Sequence, residues 1–103
     1  MEKVIREGKV AIALSQGYGA GWYSWHREEQ LIFHPVIIEM IENGKNGEIT
    51  QDWLKENLGF ENVYCGGAED LIIKWLPEGI KFKIEEYDGS EYLLTEDSLN
   101  LIA

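Results

Sequence analysis

The stretch Gly17–Trp25 constrains the possible folds of this chain more than any other. It reads Gly-Tyr-Gly-Ala-Gly-Trp-Tyr-Ser-Trp, with three glycines at alternate positions. This spacing weakens helix and strand alike and indicates a loop of special backbone geometry. The run before it, Lys9–Ser15, is nearly all apolar and rich in small and β-branched residues, as in a strand covered on both faces. The sequence therefore predicts a buried central strand that leads into a glycine-rich loop.

Two amphipathic helices are predicted in the middle of the chain. The first begins at Leu31, and its apolar positions recur every three or four residues: Phe33, Val36, Ile37, Met40 and Ile41. Pro35 fits its first turn, His34 can cap it, and Asn43-Gly44 should end it. Thr50 is expected to cap the second helix, which ends at Gly59.

The last third of the chain has the two-residue period of strands. Apolar and polar residues alternate over 71–76 and again over 80–85, and Pro77-Glu78-Gly79 between them predicts a tight turn. Asp88-Gly89 predicts a second hairpin, which gives a three-stranded meander. Two further short elements are predicted, a strand over 62–65 and a turn of helix that begins at Thr95-Glu96-Asp97. We therefore expect an α+β fold: one small domain over 1–103, with an antiparallel-rich sheet and two central helices.

Composition narrows the class of protein. The 103 residues can bury one core, and 45% hydrophobic with 27% charged residues is ordinary globular composition. The longest apolar run, Val10–Leu14, is too short to span a bilayer, and no signal-like start is seen. Cys65 has no second cysteine with which to form a disulfide, so a cytoplasmic protein is expected. The net charge of −10 argues against direct binding of nucleic acid. The same charge suits either solubility or competition with nucleic acid for a basic partner.

No set of residues matches a catalytic or metal site. The G-x-G-x-G stretch lacks the acidic residue of a dinucleotide site and the Lys-Ser/Thr pair of a nucleoside triphosphatase. Cys65 with His26 or His34 has no triad spacing, and a hydrolase built on His26 and a carboxylate would need an acid-base pair that no spacing specifies. We therefore expect no enzyme activity, no cofactor and no metal.

The glycine-rich loop is the candidate binding site. Its aromatic rings and the cation after them could stack with a base and orient it, while the glycine amides contact phosphate. The alternative is that Trp22 and Trp25 fold back as lids on the core. Gly66-Gly67-Ala68 either joins the site from across the sheet ends or forms a simple turn. The predicted ligand-binding residues are Gly17, Tyr18, Gly19, Gly21, Trp22, Tyr23, Trp25, His26, Arg27, Gly66 and Gly67.

Nearly the whole chain resembles a family of small proteins encoded by bacteriophages. The resemblance is carried by Val10–Ser15, by the G-x-G-A-G-W loop, by Gly66–Leu71, by Trp75–Gly79 and by Glu86–Glu91. The family often has Phe-Asp-Pro where this chain has Phe33-His34-Pro35, so the acidic cap is replaced here. The resemblance brings no established activity.

A phage origin implies a role against bacterial defence, in the host cytoplasm. The leading expectation is a non-catalytic, homo-oligomeric binding protein, a sponge that sequesters a nucleotide-like immune signal through the loop. The alternative is an acidic inhibitor that docks on a host defence protein, such as a CRISPR effector, through the same aromatic residues.

Overall fold

The computed structural model describes residues 2–95 and 101–103. Its strands are β1 (Ile5–Arg6), β2 (Lys9–Ser15), β3 (Leu71–Pro77), β4 (Lys81–Tyr87), β5 (Ser90–Leu94) and β6 (Leu101–Ile102). Its α-helices are α1 (Tyr23–His26), α2 (Glu29–Phe33), α3 (Pro35–Glu42) and α4 (Gln51–Leu58), with single 3₁₀ turns at Asn46–Glu48 and Ala68–Asp70. The predicted α+β class is confirmed. The predicted helical turn at Thr95-Glu96-Asp97 extends beyond the described residues.

The strands form two antiparallel sheets, with the orders β1-β2-β3 and β5-β4-β6. The predicted central strand β2 is confirmed, since it is flanked on both sides and pairs with β3 along its whole length, from Lys9 opposite Pro77 to Ser15 opposite Leu71. The predicted meander is wrong, because β3 lies in one sheet and β4 in the other. The turn after Pro77 redirects the chain instead of forming a hairpin: the Glu78 amide donates to the Gly8 carbonyl, and the Gly79 amide to the Ala103 carbonyl.

The hydrophobic core lies where α2 and α3 pack against β2. The five residues from Val10 to Leu14 are fully buried, as are Leu31, Ile32, Phe33, Ile37 and Ile38 of the two helices. The single helix predicted from Leu31 is in fact two helices, because the residue before a proline is pushed out of helical geometry. His34 is that residue, and its Nδ1 accepts from the Val36 amide as the cap of α3.

The second predicted helix has the expected ends. The Oγ1 of Thr50 accepts from the Trp53 amide at the start of α4, and Gly59 ends it in the left-handed conformation. The strand predicted over 62–65 is wrong: the segment is irregular, and Asn62 has a positive φ of 59°. None of the helices in the described residues has both the length and the apolar character needed to cross a membrane.

Candidate functional site

A buried carboxylate organises the glycine-rich loop. Glu91, on β5, is 1% exposed, and its Oε1 accepts from the Ser15 amide at 2.9 Å. Its Oε2 accepts from the Trp22 amide at 2.9 Å, the Ser24 amide at 2.7 Å and the Ser24 hydroxyl at 2.6 Å. A buried carboxylate is stable only when such donors replace its hydration. The chain thus supplies an anion of its own to the amides around the loop.

The loop is also held by a backbone hydrogen bond and by two close backbone approaches. The Gly19 amide donates to the Asp88 carbonyl, in the two-residue turn that joins β4 to β5. A Cβ on Gly89 would come within 2.5 Å of the Ala20 nitrogen, and a Cβ on Gly67 within 2.6 Å of the Gly21 oxygen. The two glycine stretches singled out in the sequence are therefore brought together, and the β4–β5 hairpin closes over the first of them.

The aromatic residues of the loop divide into buried and exposed members. Trp22 is fully buried in the core, as the lid alternative expected, whereas Tyr18 is 73% and Trp25 46% exposed. Trp25 stacks on Tyr64 with ring centroids 4.9 Å apart, and its Nε1 donates to Glu86 Oε2 at 3.0 Å. Trp25 and Tyr64 are called the aromatic face below.

Three exposed carboxylates lie along the loop. Glu86 contacts Trp25 directly, Asp88 belongs to the turn that binds Gly19, and the Asp70 side chain lies beside Gly17. All three are exposed, and in the part of the chain that the structure describes none of them forms a salt bridge. Glu86, Asp88 and Asp70 are called the acidic rim below. The local field therefore attracts cations rather than phosphates.

The two polar residues after the loop, His26 and Arg27, differ in environment. His26 is largely buried: its Nδ1 accepts from the Glu28 amide at 2.8 Å, and its ring packs edge-on to Trp22. Its Nε2 has no hydrogen-bond partner among the described residues, and neither has Trp22 Nε1. Arg27 is exposed and caps α1 in the left-handed conformation, with φ of 61°. Arg27 is thus accessible to a ligand, whereas His26 is mostly a packing residue.

Burial lowers the pKa of His26 from 6.5 to about 4, which predicts a loss of stability in acid. Between these two pH values the unfolded chain binds a proton that the folded chain excludes, so the free energy of unfolding falls as the pH drops through this window. We expect urea denaturation to show up to about 2 kcal/mol less stability at pH 4.5 than at pH 7 from this ring, allowing for its partial exposure. His26→Gln should show a correspondingly shallower pH dependence. Equal slopes for the two proteins would contradict this origin.

The remaining candidate nucleophile and base, Cys65 and His34, are half-buried and hydrogen-bonded. Burial raises the pKa of the Cys65 thiol to about 11, and its Sγ donates to the Val63 carbonyl. Burial also lowers the pKa of His34, whose Nδ1 is engaged with the Val36 amide. A thiol of that pKa is almost wholly protonated at neutral pH and is a poor nucleophile.

Several residues of this site were not predicted from the sequence, namely Tyr64, Glu86 and Glu91. One signal was present for Glu91. In β5, Glu91 and Leu93 alternate with Tyr92, and register pairs Leu93 with the buried Ile84. An acidic residue on the inward side of a strand is expected only where hydrogen-bond donors are positioned to contact its carboxylate.

Comparison of the chain with family models, with curated proteins and with solved structures found no match. Function is therefore inferred from the geometry of the loop and its surroundings.

Proposed function

We propose that this chain is a non-catalytic binding protein that docks on a basic surface of another protein through the aromatic face. In the context that the bacteriophage resemblance implies, the partner is a bacterial defence protein and the effect is inhibition. This is the alternative of the two functions expected from the sequence.

The observation that carries this proposal is the position of Glu91. A loop that captures phosphate does so with free amides that converge on the anion. Here the amides of Ser15, Trp22 and Ser24 already converge on the Glu91 carboxylate. A phosphate at that position would have to displace a buried carboxylate, which is also negatively charged.

Charge supports a basic partner. The chain has a net charge of −10, the carboxylates of the acidic rim lie along the loop, and Glu86 is in direct contact with Trp25. Aromatic residues are enriched among the few that dominate interface energetics, and complementary charge accelerates encounter. Exposed aromatic rings that bind the partner, together with nearby carboxylates that accelerate its association, are the composition expected of such an interface.

The test compares immobilised wild-type protein with Trp25→Ala and Tyr92→Ala in capture from a bacterial host lysate. Tyr92 is the matched control, because it is 45% exposed, like Trp25 at 46%, but follows Glu91 in β5 and so has its side chain on the opposite face of that strand. We expect a partner that wild type and Tyr92→Ala retain and Trp25→Ala loses. Calorimetry with the purified partner should give affinity at least about 30-fold weaker for Trp25→Ala, as for an interface hot spot.

Two further results bear on the proposal. Association with the partner should slow steeply as salt is raised, because long-range attraction between opposite charges is screened. A partner that Trp25→Ala binds as tightly as the wild type would contradict docking through the aromatic face.

A nucleotide-like signal is the second candidate, favoured by the exposure of Tyr18 and of the cation Arg27. Such a ligand would stack on the exposed rings and leave the Glu91 contacts intact. A calorimetric titration with cyclic nucleotides, ADP-ribose derivatives and cyclic oligonucleotides tests it, with mass spectrometry of the recovered ligand. Tight binding with intact recovery would favour sequestration. The homo-oligomer expected from the sequence also stays a prediction, which sedimentation equilibrium would test.

A further inference from the structure

We propose that the aromatic face is a guanidinium site: it takes an arginine side chain of the partner, stacked on Trp25 and bonded to Glu86. This assignment rests on the proposed function and specifies its chemistry. It follows from a ring and a carboxylate that the fold holds in contact on the surface.

The geometry at Trp25 joins the two features that bind arginine. The Glu86 carboxylate lies at the edge of the indole, with Oε2 3.0 Å from Nε1. A carboxylate can accept several hydrogen bonds, so Glu86 can accept others besides the one from Trp25. A guanidinium is planar, so it can lie over an aromatic ring while its N–H groups reach a carboxylate at the ring edge. An ammonium has no plane to stack and is held more strongly by water, so lysine fits less well.

No cation of the chain itself fills this position. All nine Lys and Arg residues lie in the described residues, and the ion pairs found there are Arg6–Glu42, Lys55–Glu61 and Lys83–Glu85. Arg6 shows the same combination of contacts within this molecule. Its guanidinium lies 5.4 Å from the Trp75 ring centroid and donates to both carboxylate oxygens of Glu42. Arg6, Trp75 and Glu42 thus form an arginine, tryptophan and glutamate cluster, and Trp25 with Glu86 forms a tryptophan and glutamate pair of similar chemistry.

Trp25 is also held in place before any partner arrives. Its ring stacks on Tyr64 at 4.9 Å, its Nε1 is bonded to Glu86, and a Cβ on Gly21 would come within 2.6 Å of its Cδ1. A ring fixed in this way loses little conformational entropy on binding. The site is therefore preorganised for a flat cation.

The experiment titrates ¹⁵N-labelled protein with two capped tripeptides, acetyl-Gly-Arg-Gly-amide and acetyl-Gly-Lys-Gly-amide, and follows the indole N–H signals by NMR. We expect a saturable shift of the Trp25 signal, with the arginine peptide bound about threefold to tenfold more tightly than the lysine peptide. The Trp75 signal is the internal control, because that ring is already covered by Arg6. Glu86→Gln keeps an acceptor for Trp25 and should weaken binding of the arginine peptide about threefold or more.

Equal affinity for the two peptides, or an unchanged affinity in Glu86→Gln, would overturn the guanidinium assignment. Failure of this inference is distinct from failure of the proposed function. If neither peptide binds but Trp25→Ala still loses the captured partner, docking through the aromatic face stands and the arginine contact is wrong. If capture is insensitive to Trp25→Ala, docking at this face is wrong whatever the peptides do.

Discussion

Replacing Glu91 with alanine is expected to lower the free energy of unfolding by about 4 kcal/mol. The substitution would leave the buried amides of Ser15 and Trp22, and the part-buried amide of Ser24, without their acceptor. Hydrogen bonds to a charged group contribute about 1.5–3 kcal/mol each, and a buried donor without a partner costs about 1–3 kcal/mol. Urea denaturation followed by far-ultraviolet circular dichroism measures the change.

Glu91→Gln keeps the shape of the side chain and serves if the alanine variant does not fold. It retains one oxygen but turns an amide donor toward other donors, so we expect a loss of about 2 kcal/mol. The matched control is Glu86→Ala, since Glu86 lies directly opposite Glu91 in the hairpin but is exposed. It should cost less than about 1 kcal/mol. Similar losses for Glu91→Gln and Glu86→Ala would show that the buried carboxylate does not organise the loop.

Gly89→Ala is expected to lower the free energy of unfolding by about 2–5 kcal/mol. Gly89 has a positive φ of 90°, which alone costs an alanine about 1–2 kcal/mol. The added methyl group would also meet the Ala20 nitrogen at 2.5 Å, and relieving such an overlap costs typically about 1–3 kcal/mol. Because the contact atom is backbone, the hairpin and the loop have to move apart.

Gly79 is the control that isolates the backbone strain. Its φ is 89°, yet a Cβ there would meet nothing within 4 Å. Gly79→Ala should therefore cost only the backbone strain, about 1–2 kcal/mol. The difference between the two variants in thermal and urea denaturation measures the contact of the hairpin with the loop. An equal loss at both positions would rule that contact out as a source of stability.

Local patterns predicted local structure well in this chain. The capped helix from Thr50 to Gly59, the apolar strand at Lys9–Ser15 and the Asp88-Gly89 turn all depend on residues close in sequence, and all are confirmed. Strand pairing depends on distant residues, and there the prediction was wrong. The central strand β2 takes β3 as its neighbour, so the turn after Pro77 leads into another sheet.

The candidate site was predictable to a similar extent. The spacing of glycines and aromatic residues singled out the loop, and Gly67 does lie against Gly21. Composition alone could not tell the buried Trp22 from the exposed Trp25. Glu91 was missed because one carboxylate among nineteen acidic residues resembles a solvated surface charge until its strand is paired. Side-chain burial follows from tertiary packing, which periodicity over a short window does not encode.

The separation in sequence between Glu91 and its donors has a consequence for the order of folding. The carboxylate is 76 residues from Ser15 and 67 from Ser24, so its hydrogen bonds to these residues close some of the longest contacts in the chain. Contacts of such separation form late, since their closure entropy is paid before they contribute stability. A nascent chain that contains β2, the loop and the helices, but not yet β4 and β5, lacks the complete binding surface. That surface matures only when the β4–β5 hairpin arrives, so a partner that binds it selects molecules that have finished folding.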